Sequence, residues 1–268
     1  IRPKIKMPRA KRFYIPGCVW HITHRCHKKE FLLKFARDRN RWLDLLFRAK
    51  QKYGLEVLNY IVTSNHIHLL VSDNGNRDTI PKSMQVIAGQ TAQEYNIRKR
   101  RRGAYWEDRY HATAIQADTH LVSCLIYIDM NMVRTGVVSH PSEWRWSGYN
   151  EIQNPKKRYT IINYSRLMEL LGFESLDVLK EAHGQWIEES LKKDKLAREE
   201  RWSGSIAVGS REYIENIQTN LGVKAIHRKI HESKGSFELR EDQIPYTATF
   251  GTENERLRQE NTYEWDSF

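Results

Sequence analysis

The sequence predicts an α+β fold of ferredoxin-like, RRM-like plan: an antiparallel sheet with helices, in the order β, α, β, β, α, β, followed by one further helix. Three observations carry this. Short β-branched and aromatic runs alternate with long amphipathic segments; two of the runs are separated by only three residues; and beyond Trp146 strand signals thin out while helical periodicity continues.

Residues 18–25, CVWHITHR, read as the first strand. From about Phe35 to Tyr53 the chain reads as a helix with Phe35, Trp42, Leu45, Leu46 and Ala49 on one side, ended by Gly54 in the C′ position. VLNYIV (57–62) and HIHLLV (66–71) are two strands joined by Thr63-Ser64-Asn65, short enough for a hairpin. Asp78 is placed to cap a second helix, with Ile80, Met84, Ile87 and Tyr95 on one face, which runs into RKRRR at 98–102. YHATAI (110–115) is a further strand. DTHLVSCLIYIDMNMVRTG is a third helix, capped by Asp118 or Thr119 and closed near Gly136.

Residues 1–150 are therefore expected to form one domain with a basic N-terminal arm. Residues 151–268 are expected to form a mostly helical extension, with amphipathic segments at about 164–171, 175–200 and 210–220. From about 222 onward the chain is polar and weakly periodic, and a partly disordered or draped tail is expected.

A chain of 268 residues with 40% hydrophobic residues can bury a full core. No apolar run approaches a membrane span, and the cationic start lacks the apolar centre of a leader, so the expected compartment is the cytoplasm, with no membrane partner. Three cysteines, Cys18, Cys26 and Cys124, make a disulfide framework an unlikely plan for such a chain. Net charge +11 suits a phosphate backbone, because each neutralised phosphate releases condensed counterions. The basic residues cluster in two places. Arg2, Lys4, Lys6, Arg9, Lys11 and Arg12 form the N-terminal arm. Arg98, Lys99, Arg100, Arg101 and Arg102 are followed by Tyr105 and Trp106, aromatic faces suited to stacking on unpaired bases. Such a run is also what a solvated helix end looks like.

The chemistry gathers in NHIHLL. On a strand His66 and His68 share one face while Ile67, Leu69 and Val71 share the other, so the aliphatic triplet can form core. The two imidazoles then lie about 6–7 Å apart at Cα, close enough to converge on one ion. They equally suit two hydrogen-bonded histidines on an open sheet face. The third helix supplies what is needed to choose. At about 100° per residue His120, Ser123, Tyr127, Asn131 and Arg134 fall in one stripe, apart from Leu121, Leu125, Ile128 and Met132. A phenol titrates near about 10, so its attack on phosphorus at neutral pH needs a nearby cation or base. A divalent ion on His66 and His68 would serve, with an oxygen of Asn131 as third ligand. Mn²⁺ fits this ligand set as well as Mg²⁺ or better.

With these residues in view, "NHIHLL", "YIDMNMVRTGVV" and "EWRWSGY" resemble the single-tyrosine HUH transposases, and most closely the REP-associated tyrosine transposases. "RFYIPGCVWHITHRCHKKEFLL" and "YWEDRYHATAI" resemble that family's flanking strands, and "ERWSGSIAVGSREYIENI" at 200–217 resembles a segment of its longer members. The resemblance implies the HUH endonuclease fold. It also implies metal-dependent cleavage of single-stranded DNA beside a hairpin or palindromic repeat, through a 5′-phosphotyrosine intermediate that leaves a 3′-OH for rejoining. By this resemblance His66 and His68 are the HUH histidines, Tyr127 is the nucleophile, and Asn131 completes the site for Mg²⁺ or Mn²⁺. Arg109 and Arg134 join the basic residues expected to bind DNA. The family's NPVRAG reads here Asn131-Met132-Val133-Arg134-Thr135-Gly136, without the proline. Whether the protein acts as a monomer or a homodimer stays open.

Three other readings fit the same residues less well. A replication initiator or relaxase also pairs HUH with tyrosine, but usually carries a lysine one turn after the tyrosine, or a tyrosine near the N-terminus. An inactive hairpin-binding protein is disfavoured because all four proposed positions are filled. A zinc site from His21, His24, Cys26 and His27 is disfavoured because these residues do not share a strand face; they are expected to face solvent or DNA.

Overall fold

A computed structural model describes residues 14–192, 199–226, 228–233 and 235–241. The six N-terminal basic residues expected to bind DNA, Arg2 through Arg12, lie outside the described residues. The order of the first elements is β1 (Val19–Arg25), α1 (Ala36–Tyr53), β2 (Glu56–Val62), β3 (His66–Ser72), α2 (Thr79–Arg98), β4 (His111–Ile115) and α3 (Thr119–Asp129). This is the α+β, ferredoxin-like order with an added helix. Strands β2, β3, β1 and β4 lie side by side in that order, and every pairing among them is antiparallel.

Alternation along the strands assigns the two faces. Antiparallel partners point the same way, and the pairs Thr23–His68, Arg25–His66, His21–Thr113 and Thr23–His111 put His21, Thr23, His66, His68, His111 and Thr113 on one face. Ile22, Ile67, Leu69, Val71 and Ala114 take the other, and all five are fully buried. Helices α1 and α2 cover that second face. The turn out of α1 is made by Gly54 at φ 69°, a left-handed C-cap that a residue with a Cβ adopts only under strain. Asp78 stands at the start of α2 as expected, but its carboxylate pairs with Lys82 at 2.9 Å instead of capping a backbone N–H.

Helix α3 covers the histidine face. Asp118 caps it, accepting from the His120 N–H at 2.8 Å. Its stripe of Leu121, Leu125 and Ile128 is buried to within 1%. The expected single helix to Gly136 loosens at Met130, where ψ is 1°, and resumes as the one-turn α4 (Asn131–Arg134). At this point the buried Asp129 carboxylate is anchored from both sides. Asn59 donates to it at 3.0 Å and His183 Nε2 lies at 2.9 Å. The Arg134 N–H still reaches the Met130 carbonyl at 2.9 Å, so Asn131 stays one turn beyond Tyr127.

Beyond Trp146 helices predominate: α5 (Gly148–Gln153), α6 (Tyr164–Leu171), α7 (Leu176–Lys192), α8 (Arg201–Gly204) and α9 (Arg211–Leu221). The segment also returns to the sheet. Strand β5 (Ala207–Gly209) pairs parallel with β4, and β6 (Arg228–Ser233) and β7 (Ser236–Glu241) form a hairpin beside it, giving seven strands in the order β2-β3-β1-β4-β5-β7-β6. The expectation of a draped tail from 222 is corrected for Arg228–Glu241. Ile230, Phe237 and Leu239 are the apolar residues of this hairpin, and its polar outer strand shows no alternation until β5 is there to pair with β7.

Candidate active site

Four side chains chosen from sequence converge in one cavity of about 500 Å³: His66, His68, Tyr127 and Asn131 line it together with Thr23, His24, Arg25, Arg109, His111 and Arg134. Strand β3 supplies the first two and the α3–α4 junction supplies the others, all from one chain. The Tyr127 ring lies edge-on to His68 with centroids 5.7 Å apart, and His66 lies edge-on to His68 at 5.0 Å. Asn131 Nδ2 is 3.1 Å from His68 Nε2. His66 is oriented by its hairpin, its Nδ1 lying 2.7 Å from Asn65 Oδ1 and 3.0 Å from Thr63 Oγ1.

The donor set fits a divalent cation. Asn131 Oδ1 is buried without a hydrogen-bond partner, an arrangement that costs free energy unless a ligand or water meets it. It belongs to an amide already beside His68 Nε2. Two imidazole nitrogens and one amide oxygen leave positions open for water and phosphate, as a hydrolytic ion requires. Among the described residues no cluster of three or more His, Cys, Asp or Glu side chains is placed to hold a metal, so this mixed His-His-Asn set is the candidate.

Arg134 addresses the tyrosine twice. Its guanidinium lies 4.0 Å from the phenol ring centroid, and its Nη1 donates to the Tyr127 carbonyl at 2.7 Å. Tyr127 is 6% exposed, so this cation acts at short range and with little solvent screening.

The expectation that His21 and His24 face solvent or DNA is corrected: both are buried, at 0% and 5% exposure. His24 stacks on Trp106 with centroids 4.0 Å apart and bonds to the Asp108 carbonyl. His21 lies behind the site, with Nε2 2.9 Å from His68 Nδ1 and Nδ1 2.8 Å from the Trp202 carbonyl. Burial, with the charge of Arg134 nearby adding to it, drives the His21 imidazole down to about 3. The sequence signal for His21 is its strand parity, which becomes informative only when the β1–β3 register is known.

The basic run is placed elsewhere. Arg98 ends α2, Lys99, Arg100, Arg101 and Arg102 follow it, and none of them lines this cavity. Arg98 pairs with Asp38, and Arg101 pairs with Glu30 at 3.2 Å while donating to the Ala104 carbonyl at 2.8 Å. Lys99 lies over the Phe35 ring, and Arg100 and Arg102 are exposed. The aromatic faces expected to stack on bases are used internally: Tyr105 is buried against Tyr95 and Trp106, and the Trp106 indole donates to the Ala88 carbonyl at 3.0 Å.

Residues 14–131 match the model of a family described as "Transposase IS200 like", a little under half of the chain, running from before β1 to the proposed amide ligand. That segment is similar to IS200-like transposases. A solved structure described as a REP-associated tyrosine transposase bound to a REP hairpin shares 19% identity at a TM-score of 0.48, covering 57% of this chain and 90% of that one. A putative transposase from Deinococcus radiodurans R1 shares 18% identity at a TM-score of 0.30, covering 39% of this chain and 84% of the other. No curated protein matches the chain. The matched segment contains His66, His68, Tyr127 and Asn131; Arg134 and all of α5 to α9 lie beyond it.

Proposed function

We propose that the chain is a divalent-metal-dependent endonuclease and strand transferase acting on single-stranded DNA, with Tyr127 as nucleophile. The observation that carries this reading is the convergence, within one chain, of two strand histidines, a phenol and an amide oxygen that has no partner. Arg134 favours the phenolate by its charge. The Tyr127 phenol gives its proton to solvent and its oxygen attacks phosphorus, a phosphotyrosine ester forms to the 5′ side, and the bond to the 3′ oxygen breaks, that oxygen leaving as a 3′-hydroxyl after taking a proton from solvent. Reversal by a 3′-hydroxyl rejoins strands. A Mg²⁺ or Mn²⁺ ion on His66, His68 and Asn131 would polarise the phosphate and offset charge developing on its oxygens.

A hairpin beside the cleaved strand is the target that the family resemblance implies, reached through Arg109 and Arg134 at the cavity and through the exposed Arg100 and Arg102 further off. Such a protein works on nucleoid DNA in the cytoplasm. Among the described residues no helix is long and apolar enough to cross a membrane. Residues 1–150 form the catalytic unit in this reading, and α5 to α9 with β5 to β7 buttress it.

The test incubates the full chain with single-stranded hairpin oligonucleotides taken from the DNA flanking its own gene and runs a denaturing gel. A covalent adduct is expected with Mn²⁺ or Mg²⁺, and none with EDTA or with Tyr127→Phe, which keeps hairpin binding. An adduct formed by Tyr127→Phe would remove Tyr127 from its role.

A further inference from the structure

The hydrogen bonds behind the site have directions that can be deduced. The Trp202 carbonyl only accepts, so His21 Nδ1, 2.8 Å away, carries a proton and donates. Among the described residues no acid lies beside His21, which is fully buried between this carbonyl and a second imidazole, so it is neutral and its Nε2 bears a lone pair. His68 Nδ1 lies 2.9 Å from that lone pair, with the two ring planes within 5° of parallel, the geometry of an in-plane N–H···N bond. His68 Nδ1 is then the donor. A neutral His68 is left with its lone pair on Nε2, the nitrogen that stands 3.1 Å from the Asn131 amide.

We propose that His21 is a positioning residue for the metal site: held by the Trp202 carbonyl, it fixes His68 in the Nδ1–H tautomer, so that Nε2 is permanently the ligating nitrogen. This inference rests on the metal reading of His66, His68 and Asn131. It also assigns work to the C-terminal segment. The carbonyl comes from α8, some seventy residues beyond the segment that matches the transposase family. Trp202 is wholly buried there, its ring 5.9 Å from that of Tyr127, and Ser205 just beyond it accepts from Thr113 at 2.7 Å and from His111 at 2.9 Å. Strand β1 is thus tied to α8 directly under the proposed ligand. A bare core histidine would need only to fill space, whereas this one has a donor and an acceptor each matched to a partner. Outer hydrogen bonds of this kind orient metal-binding imidazoles, and their loss typically weakens metal binding about 10- to 100-fold.

The experiment uses the full chain labelled with ¹⁵N-histidine and compares wild type with His21→Gln, His21→Asn and His21→Leu. Long-range ¹H–¹⁵N spectra of the metal-free protein read which His68 nitrogen bears the proton, and Mn²⁺ affinity is read from the electron paramagnetic resonance signal of the free ion. Wild type is expected to carry the proton on Nδ1. Glutamine, with an amide donor for Trp202 and an oxygen that reaches His68, should keep that tautomer and bind Mn²⁺ within a few-fold of wild type. Asparagine, which reaches Trp202 but falls short of His68, should shift the tautomer and weaken Mn²⁺ about 10- to 100-fold. Leucine should do the same where its melting curve shows it folded; the Gln and Asn pair decides if it is not. A His68 proton on Nε2 in wild type, or a tautomer and Mn²⁺ affinity indifferent to all three substitutions, overturns the inference. A wild-type chain that binds no Mn²⁺ at all is instead a failure of the metal reading, which the metal-free spectra register separately.

Discussion

Arg134 folds back over Tyr127, its guanidinium 4.0 Å from the ring centroid and its Nη1 bonded to the Tyr127 carbonyl at 2.7 Å. The two are seven residues apart, two turns along the α3–α4 junction, so the helix that presents the proposed nucleophile also presents a cation to it. Arg134→Ala is expected to slow cleavage about 100-fold, the usual loss when one preorganised electrostatic contact is removed. Arg134→Lys, which keeps charge without the planar fork, should fall between. Single-turnover cleavage of a hairpin oligonucleotide measures both. An alanine variant as fast as wild type would show the contact to be packing alone.

The basic run at the end of α2 divides by what each side chain already holds. Arg98 and Arg101 are engaged with Asp38 and Glu30, whereas Arg100 and Arg102 are exposed. Replacing Arg100 and Arg102 by Ala should lower the slope of log affinity against log salt by about 1 to 2, as expected for losing one or two phosphate contacts. Arg101→Ala should chiefly loosen the Gly103 turn, where its guanidinium bonds Ala104 and Asn96. A titration of fluorescent hairpin DNA at several salt concentrations separates the cases, and an unchanged slope in the double variant would mark the run as merely solvated.

Asp129 sits between the two site residues of the junction and faces the other way. Its carboxylate is fully buried and accepts from Asn59 on β2 and His183 on α7. Gln153 completes the set, donating to His183 Nδ1 at 2.9 Å and to the Lys180 carbonyl at 3.0 Å. Asp129→Ala leaves two buried donors without an acceptor and is expected to cost about 3–5 kcal/mol in urea unfolding. Asp129→Asn, which keeps one acceptor oxygen, should cost less. Equal losses would mean that packing around Asp129, and not its hydrogen bonds, holds α3 to α7.

What could be read from the sequence, and what could not, divides by range of interaction. His66 and His68 were legible because strand alternation is a two-residue rule, and Tyr127 with Asn131 because helical periodicity is a four-residue rule. The hairpin at Thr63-Ser64-Asn65 and the Gly54 stop are equally local. His21 was misplaced because nothing local says which of two strand faces becomes covered; that depends on α8, 181 residues away, supplying a carbonyl. Strands β5 to β7 were missed for the same reason. Ala207–Gly209 is three residues long, and it becomes a strand only because β4 and β7 offer it partners on both sides.

His111 gives the pH dependence of this long-range contact. Burial holds its imidazole below the ordinary value of 6.5, and its Nε2 bonds to the Ser205 carbonyl at 2.9 Å, so it is the neutral form that the fold contains. As the pH falls below 6.5 the unfolded chain takes up a proton that the folded protein resists, and stability drops. Above 6.5 both states are neutral and the group contributes no pH dependence. His111→Gln keeps a donor for Ser205 but does not titrate, so its stability should fall less than that of wild type between pH 7 and pH 5. His21, held down chiefly by its own burial, titrates in the same direction in both proteins. Urea unfolding of metal-free protein at the two pH values tests this: the gap between wild type and variant should narrow toward pH 5, and a gap that widens would mean that protonated His111 is accommodated in the fold.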